Sequence, residues 1–202
     1  MNPQQISNNN MISTTLAINL PLWTQDFIKE KSKQALISLE DKMHAAIELS
    51  QLNVQNKTGG PFGAIIFDVS SHSIMSVGIN LVTKALNSIA HAEILALMFA
   101  QKRLQTYNLG SLKKPLILVS SGQPCAMCFS AIIWSGIKQV AYGASKNDIE
   151  QITGFDEGPL HHNWEKEAKK RGITIIKEVA KESALKILKS YINNNGIIYN
   201  GY

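Results

Sequence analysis

The sequence predicts a layered α/β domain, because short apolar stretches typical of strands alternate along the chain with longer stretches of helical periodicity. The 202 residues suffice for one compact domain, and 45% hydrophobic with 17% charged residues is the composition of an ordinary globular protein. The chain shows no internal repeat, no apolar run long enough for a membrane span and no pattern of a secretory signal. We therefore expect a cytoplasmic protein.

The N-terminal segment is polar, and the first helices follow it. Residues 1–15 are rich in Asn, Gln and Ser. We expect a flexible tail over residues 1–20 and a single domain over residues 21–202. Apolar side chains recur at helical spacing over residues 25–53, which predicts one or two helices that end near Asn53.

A hairpin and a long helix are expected next. Residues 56–60 form a loop, and the apolar stretch at 62–69 predicts a buried strand. Residues 74–79 alternate well enough for a second strand across a polar turn. Good helix formers fill residues 89–104 and predict a helix there.

The second half of the chain continues the alternation, except over residues 144–163, where we expect no regular structure. The expected elements are a strand at 116–120, a helix at 125–135 ended by Gly136, a strand at 138–143, a helix at 164–170, a strand at 173–177 and a helix at about 181–193. Strands that alternate with helices favour the layered α/β class.

Two short motifs, His91-x-Glu93 and Cys125-x-x-Cys128, combine the residue types of a metal site. A catalytic zinc binds three imidazole, thiolate or carboxylate ligands and keeps one position for water. Cysteines three apart at a helix start face the same way, and the helix N-terminus favours their thiolates. We therefore expect Zn²⁺ on His91, Cys125 and Cys128.

Glu93 is the expected proton carrier of this site. Zinc lowers the pKa of bound water to about 7, so hydroxide is available at neutral pH. Glu93 lies two residues from a ligand, so it is placed to take the water proton, pass it to a ring nitrogen and help expel ammonia. The two motifs in this order, about 34 residues apart, are the known pattern of zinc deaminases.

The residues alone leave other interpretations open. A lone Cys-x-x-Cys also occurs as a thioredoxin-like redox pair, although Pro124 and the Met-Cys-Phe run suit that motif poorly. The formal net charge of +5 comes from scattered lysines and indicates a solvated face rather than a nucleic-acid groove. A non-catalytic zinc scaffold is also possible, although it has no use for Glu93. Its fourth ligand would come from His44, His72, His161 or His162.

Several longer stretches carry a family resemblance. They are GGPFGAII (59–66), Gly78-Ile79-Asn80, AHAEILAL (90–97), PCAMC (124–128), AIIWSG (131–136), GFDEGP (154–159) and NNGIIYN (194–200). The sequence resembles the cytidine and deoxycytidylate deaminase superfamily, and within it the bacterial guanine deaminases. The resemblance implies a three-layer α-β-α cytidine-deaminase-like fold with a mixed sheet of about five strands. It also implies hydrolytic deamination of a free nucleobase, foremost guanine to xanthine and ammonia.

The resemblance further implies a set of substrate-binding residues. Asn80 would hydrogen-bond the ring with its amide, and Phe62 would pack against the face of the base. Ala92 belongs to the same binding set. Glu157 would be a second catalytic carboxylate, because a carboxylate accepts the adjacent N–H and amino donors of a guanine-like ring.

The C-terminal segments are expected to cap the substrate, over residues 154–202. Trp164 and the terminal Tyr199-Asn200 would close the site. The bacterial relatives form dimers, some with exchanged C-terminal segments, so the resemblance implies a homodimer in which a partner chain supplies the lid.

The sequence differs from many relatives at one position beside the cysteine motif, and it leaves the choice of substrate open. Many relatives have Glu before the Pro-Cys pair, whereas this chain has Gln123, which leaves zinc binding intact but alters hydrogen bonding around the site. The alternative activities are ammeline (triazine) deamination, cytosine deamination and tRNA adenosine deamination. GFDEGP and the long tail argue against the last, so no nucleic-acid partner is expected.

Overall fold

The structure, a computed structural model, describes residues 14–201. The expected tail at residues 1–20 lies mostly outside these residues. Residues 14–20 contain no helix or strand, and Ile18 and Leu20 pack against the core.

Helices and strands alternate along the chain as the sequence predicts. In chain order they are α1 (Trp23–Lys31), α2 (Leu39–Gln55), β1 (Gly63–Asp68), β2 (Ile74–Ile79), α3 (Val82–Ala85), α4 (Ala92–Leu104), β3 (Leu116–Gly122), α5 (Ala126–Ser135), β4 (Gln139–Ala144), α6 (Lys146–Thr153), α7 (Trp164–Lys170), β5 (Thr174–Ile176) and α8 (Lys181–Asn193). No described helix is both long and apolar enough to cross a membrane.

The five strands form one mixed sheet in the order β2-β1-β3-β4-β5. Strand β1 pairs antiparallel with β2 and β3, whereas β3, β4 and β5 are parallel. Parallel neighbours need crossover connections, which α5 supplies between β3 and β4 and α6 with α7 supply between β4 and β5. The expected mixed sheet is therefore confirmed.

Helices cover both faces of the sheet, which confirms the three-layer arrangement. Successive side chains of a strand point to opposite faces. Ile65 and Phe67 of β1 accordingly pack into the core beside α2 and α8. Ala64 and Ile66 pack into the opposite core beside α4, α5 and α7. All four side chains are fully buried.

The helix starts differ from the predicted ones at positions where a capping residue begins the helix. The helical stretch predicted at 25–53 is two helices, α1 and α2, and α2 begins after Ser38, whose side chain accepts a hydrogen bond from the Asp41 N–H. The helix predicted over 89–104 begins only at Ala92, because His91 has the extended backbone of an N-cap, φ −74° and ψ 157°.

The prediction of no regular structure over residues 144–163 is wrong for its first half, which forms α6. Ser145 and Asp148 make a capping box, in which the Ser145 hydroxyl accepts from the Asp148 N–H and the Asp148 carboxylate accepts from the Ser145 N–H. The Ser-x-x-Asp pattern is a helix-start signal that this polar stretch carries in its sequence. Residues 154–161 form a loop that reaches a cavity at the starts of α4 and α5.

Candidate active site

A small cavity lies where the starts of α4 and α5 meet the end of β2 and the 154–159 loop. Its volume is about 40 Å³. Its walls come from segments far apart in sequence, and they include most of the residues predicted to act on a substrate. The lining residues are Phe62, Asn80, His91, Ala92, Glu93, Gln123, Cys125, Phe155, Asp156, Glu157 and Tyr199.

Two helix starts bring the predicted metal ligands together. His91 is the N-cap of α4, and Cys125 is the N-cap of α5, where its sulfur accepts from the Cys128 N–H. His91 Nδ1 lies 3.7 Å from Cys125 Sγ and 3.6 Å from Cys128 Sγ. The three ligand atoms lie within 4.8 Å of one another.

This donor set fits zinc. A tetrahedral ion with Zn–S of about 2.3 Å and Zn–N of about 2.0–2.1 Å holds nitrogen and sulfur about 3.6 Å apart, and both measured separations match it. The hydrogen bond from the Cys128 thiol lowers the pKa of Cys125 to about 4. The pKa of Cys128 is raised by the same bond and by burial. Cys125 is therefore an anionic ligand before a metal binds, and Cys128 becomes the second thiolate ligand by losing its proton when the metal binds.

Histidines outside this group do not approach it. Over residues 14–201 the metal-binding group consists of His91 and the two cysteines. His44 pairs with Glu40 on the surface of α2, and His72 lies beside Lys42. His161 and His162 stack on each other in an exposed loop. The described residues therefore bring no second histidine to this group as the fourth ligand of a closed structural site.

Glu93 lies beside the metal-binding group in the first turn of α4. Its Oε1 accepts from the Ser120 hydroxyl at 3.1 Å, and its Oε2 lies 3.5 Å from Cys128 Sγ. The side chain is buried, and burial raises the pKa of its carboxyl group. A buried carboxyl group of raised pKa is suited to accept and return a proton.

Glu157 adds a second carboxyl group to the same cavity. It is 8% exposed, and its main-chain carbonyl accepts from the Ala126 N–H at 3.2 Å, which ties the 154–159 loop to the start of α5. Burial raises its pKa to about 8, and the negative charges of Cys125 and Glu93 add to this shift. The structure therefore brings both predicted carboxyl groups to one site.

Asn80 borders the cavity directly after β2 and is 1% exposed. Its Oδ1 accepts from the Val82 N–H at 3.3 Å, at the start of the short helix α3, which sequence reasoning missed. This bond holds the carboxamide by its oxygen. The amide group can therefore present its nitrogen to a ligand in the cavity.

Three aromatic side chains form one wall of the cavity. The rings of Phe62 and Phe155 lie 5.5 Å apart, and those of Phe155 and Tyr199 lie 4.8 Å apart. The Tyr199 hydroxyl is buried and faces the Asn80 side chain, although no contact among the described residues reaches normal hydrogen-bond geometry. Sequence reasoning missed Phe155, although it lies in the quoted GFDEGP stretch.

Asn200 fastens the C-terminal segment to the loop that carries Glu157. Its Oδ1 accepts from the Asp156 N–H at 2.9 Å, and its Nδ2 donates to the Gly154 carbonyl at 3.0 Å. Tyr199 is thereby held over the cavity of its own chain. Asp156 also lines the cavity and was not predicted, because no local pattern distinguishes it from an ordinary loop aspartate.

The structure does not bring Trp164 to this cavity. The indole is 9% exposed and packs edge-on against Phe129 at 5.5 Å, with Tyr142 at 6.4 Å. It belongs to the core that α4, α5 and α7 share. Its position at the start of α7 turns the ring toward the sheet rather than toward the 154–159 loop.

Gln123 lines the cavity and connects it to α6. Its Oε1 accepts from the Lys146 N–H at 2.9 Å, and its own N–H donates to the Ala144 carbonyl at 2.8 Å. A glutamate at this position offers the same acceptor to a helix N-terminus. Gln123 therefore uses its side-chain oxygen to hold the start of α6 beside the cavity.

The comparison with known proteins confirms the resemblance. The family model described as the cytidine and deoxycytidylate deaminase zinc-binding region matches residues 37–144, more than half of the chain. The guanine deaminase of Bacillus subtilis (strain 168) is 37% identical over 134 residues, covering 66% of this chain and 81% of that protein. A tRNA-specific adenosine deaminase of Buchnera aphidicola subsp. Schizaphis graminum is 34% identical over 134 residues, with 66% and 81% covered.

Solved structures extend the similarity to the C-terminal part of the chain. The guanine deaminase of Nitrosomonas europaea has a TM-score of 0.81 at 36% identity, covering 90% of this chain and 98% of that one. The protein NE0047 in complex with 2,6-diaminopurine has a TM-score of 0.82 at 38% identity, covering 92% and 97%. The chain therefore belongs to the cytidine and deoxycytidylate deaminase family and carries that family's zinc-binding region.

Proposed function

We propose that this protein is a zinc-dependent hydrolytic deaminase that converts guanine to xanthine and ammonia. The observation that carries the proposal is the pair of buried carboxyl groups, Glu93 and Glu157, that share one cavity with a His/Cys/Cys group. The similarity to two proteins named guanine deaminase supports this substrate. The narrow, aromatic-walled cavity suits a free base better than a polynucleotide.

The metal ligands in this proposal are His91, Cys125 and Cys128. Zinc, when bound, supplies a Lewis acid that makes water acidic enough to react at neutral pH. The two cysteines and the histidine come from helix N-termini, whose partial positive charge stabilises the thiolates.

Glu93 moves the protons of the reaction. Overall, a C–O bond forms at C2 of guanine, the bond from C2 to the amino nitrogen breaks, and one water is consumed for each ammonia released. Glu93 receives the proton of the attacking water and delivers it to a ring nitrogen, and it then helps to protonate the leaving amino group. Ser120 holds the carboxyl group through Oε1, so Oε2 remains on the metal side.

Substrate orientation depends on side chains from several segments. Glu157 accepts from the ring N–H and the amino group, and Asn80 donates to the ring from its amide. Phe62 packs on the face of the base, and the main chain of Ala92 lies beside it at the start of α4. From the C-terminal segment, the 154–159 loop and Tyr199 cap the bound base, with Tyr199 as the covering ring.

Replacing Glu157 with glutamine is expected to lower kcat/KM for guanine on the order of 100-fold. The amide would place an N–H₂ donor against the donor edge of the base. Zinc content, measured by atomic emission, stays at the wild-type value, because Glu157 is not a ligand. The matched control is Glu165→Gln, an exposed carboxylate that pairs with Lys177. Equal activity of Glu157→Gln and wild type would remove Glu157 from the mechanism.

Ammonia release from a panel of substrates tests the substrate assignment. The panel contains guanine, ammeline, cytosine, adenine, adenosine and transfer RNA, each at matched concentration. We expect guanine to have the highest kcat/KM. Activity on transfer RNA with guanine inert would overturn the assignment, and ammeline as the best substrate would move it to an aminotriazine.

We also propose that the protein acts in the cytoplasm as a homodimer. Met98 on α4 and Trp134 on α5 are large apolar side chains with exposed fractions of 49% and 85%, and a second copy would cover such groups. The C-terminal segment lies on its own chain here, and a dimer with exchanged segments would make the same contacts between chains. Light scattering distinguishes a 22.3 kDa monomer from a dimer of twice that mass.

A further inference from the structure

Asn53, near the C-terminal end of α2, is a fully buried asparagine that does not line the cavity. Its side-chain nitrogen donates to two main-chain carbonyls, those of Gly60 and Asn80, at 2.8 Å each. Its side-chain oxygen accepts from the Thr58 hydroxyl at 2.6 Å. Both amide hydrogens and the oxygen are therefore used inside the protein.

The two carbonyls belong to the segments that carry Phe62 and Asn80. Gly59 packs so closely against the second segment that an added Cβ would lie 1.8 Å from the Asn80 carbonyl oxygen. The Asn80 N–H donates to the Phe62 carbonyl at 3.1 Å. The Asn80 main chain is thus held at both polar groups, its carbonyl by Asn53 and its N–H by the Phe62 carbonyl.

We propose that Asn53 is a positioning residue that fixes the direction of the Asn80 carboxamide toward the substrate. The inference rests on the proposed role of Asn80 in binding the base. The Asn80 Cα carries the carboxamide, and the Val82 N–H holds its oxygen. A shift of the Asn80 main chain relative to Val82 therefore displaces or turns the carboxamide. Asn53 opposes a shift of the Asn80 main chain, because its side-chain nitrogen donates to the Asn80 carbonyl and to the Gly60 carbonyl at the same time.

Few other side chains can replace Asn53 in this role. The site requires two donors on one planar nitrogen, with an acceptor beside them for Thr58. A carboxylate at position 53 would face two carbonyl oxygens without a proton between them. Leucine has a similar size but removes the side-chain donor from both carbonyls. The Gly60 carbonyl keeps the Phe62 N–H, whereas the buried Asn80 carbonyl loses the donor that Asn53 supplies, which favours its displacement.

A double-mutant cycle on guanine turnover tests this inference, with the variants Asn53→Leu, Asn80→Ala and their combination. We expect Asn53→Leu alone to lower kcat/KM on the order of 10- to 100-fold, because small displacements of a positioning group are costly. In the Asn80→Ala background the same change should cost only about two- to three-fold, because residues that act through one another are not additive.

The controls separate positioning from damage to the fold. Ser135→Ala removes a buried hydroxyl that donates to the Ile132 carbonyl away from the cavity, and it should leave kcat/KM at the wild-type value. If Asn53→Leu does not fold, Asn53→Ser, which retains one short donor, replaces it in the cycle. If the Asn53 substitution lowers kcat/KM by the same factor in the wild-type and Asn80→Ala backgrounds, the inference is overturned and Asn53 is a purely structural residue.

A second readout does not depend on the reaction. In a crystal structure of Asn53→Leu, or of Asn53→Ser, the Asn80 carboxamide should be displaced or turned, and an unmoved carboxamide would overturn the inference. A wild-type protein that fails to deaminate guanine would instead contradict the proposed function. The position of the carboxamide would still decide the role of Asn53.

Discussion

Replacing Glu93 with glutamine is expected to lower kcat for guanine by about 10²- to 10⁴-fold, the usual contribution of a positioned acid–base group. Glutamine retains an oxygen that accepts from the Ser120 hydroxyl, so the local packing is preserved. It cannot hold a proton on the atom next to the metal-binding group. The loss should therefore appear in kcat, with KM changed little.

Two measurements make the Glu93 result specific. Zinc content should stay at one ion per chain, because Glu93 is not among the three grouped ligands. Glu165→Gln, at a carboxylate with 51% side-chain exposure, should retain wild-type kcat. A Glu93→Gln variant with at least a third of wild-type kcat would show that the proton is carried by another group.

Removal of zinc is expected to abolish the activity and to lower Tm by about 10 °C, because a tightly bound ligand contributes about 4 kcal/mol to the folded state of a domain this size. The loss of stability follows because His91, Cys125 and Cys128 join two helix starts that approach each other only in the folded chain. Zn²⁺ should restore both activity and Tm after chelation. Mg²⁺ should restore neither, since it prefers oxygen ligands.

Cys128→Ser removes one predicted zinc ligand by mutation and so tests the metal site without a chelator. Serine is a poor zinc ligand at neutral pH, so zinc content and Tm should both fall, and the fall in Tm is visible without any assay of turnover. The matched control is His162→Ala, because His162 is exposed and contacts His161 and Asn163 in its own loop, away from the metal-binding group. Full zinc content in Cys128→Ser would exclude Cys128 as a ligand.

The sequence predicts those parts of the site that depend on local geometry. Cys125 and Cys128 meet because they are three residues apart at the start of one helix, and His91 and Glu93 stay near each other because they flank the start of another. The strands follow equally directly from their apolar runs. The sequence also contains the Ser145 capping box, yet the polar α6 that follows it was overlooked.

Contacts between distant segments were decided by the tertiary structure alone. Phe155 meets Phe62 and Tyr199 only because the folded chain brings the 154–159 loop and the C-terminal segment together at the start of β1. The ring of Trp164 was expected over the substrate but lies in the core beside Phe129. The local sequence around Trp164 does not show which side of the helix will meet the sheet.

The cysteine pair at the start of α5, the position of Glu93 beside His91 and most of the helices and strands were thus determined by the sequence itself, since periodicity, capping and residue type act over a few neighbouring positions. The tertiary structure decided which segments close the cavity and how Asn53 holds Asn80, 27 residues away. Hydrogen bonds of that kind join residues that lie far apart in the sequence and close together only in the folded chain. Their partners therefore cannot be identified from the local sequence.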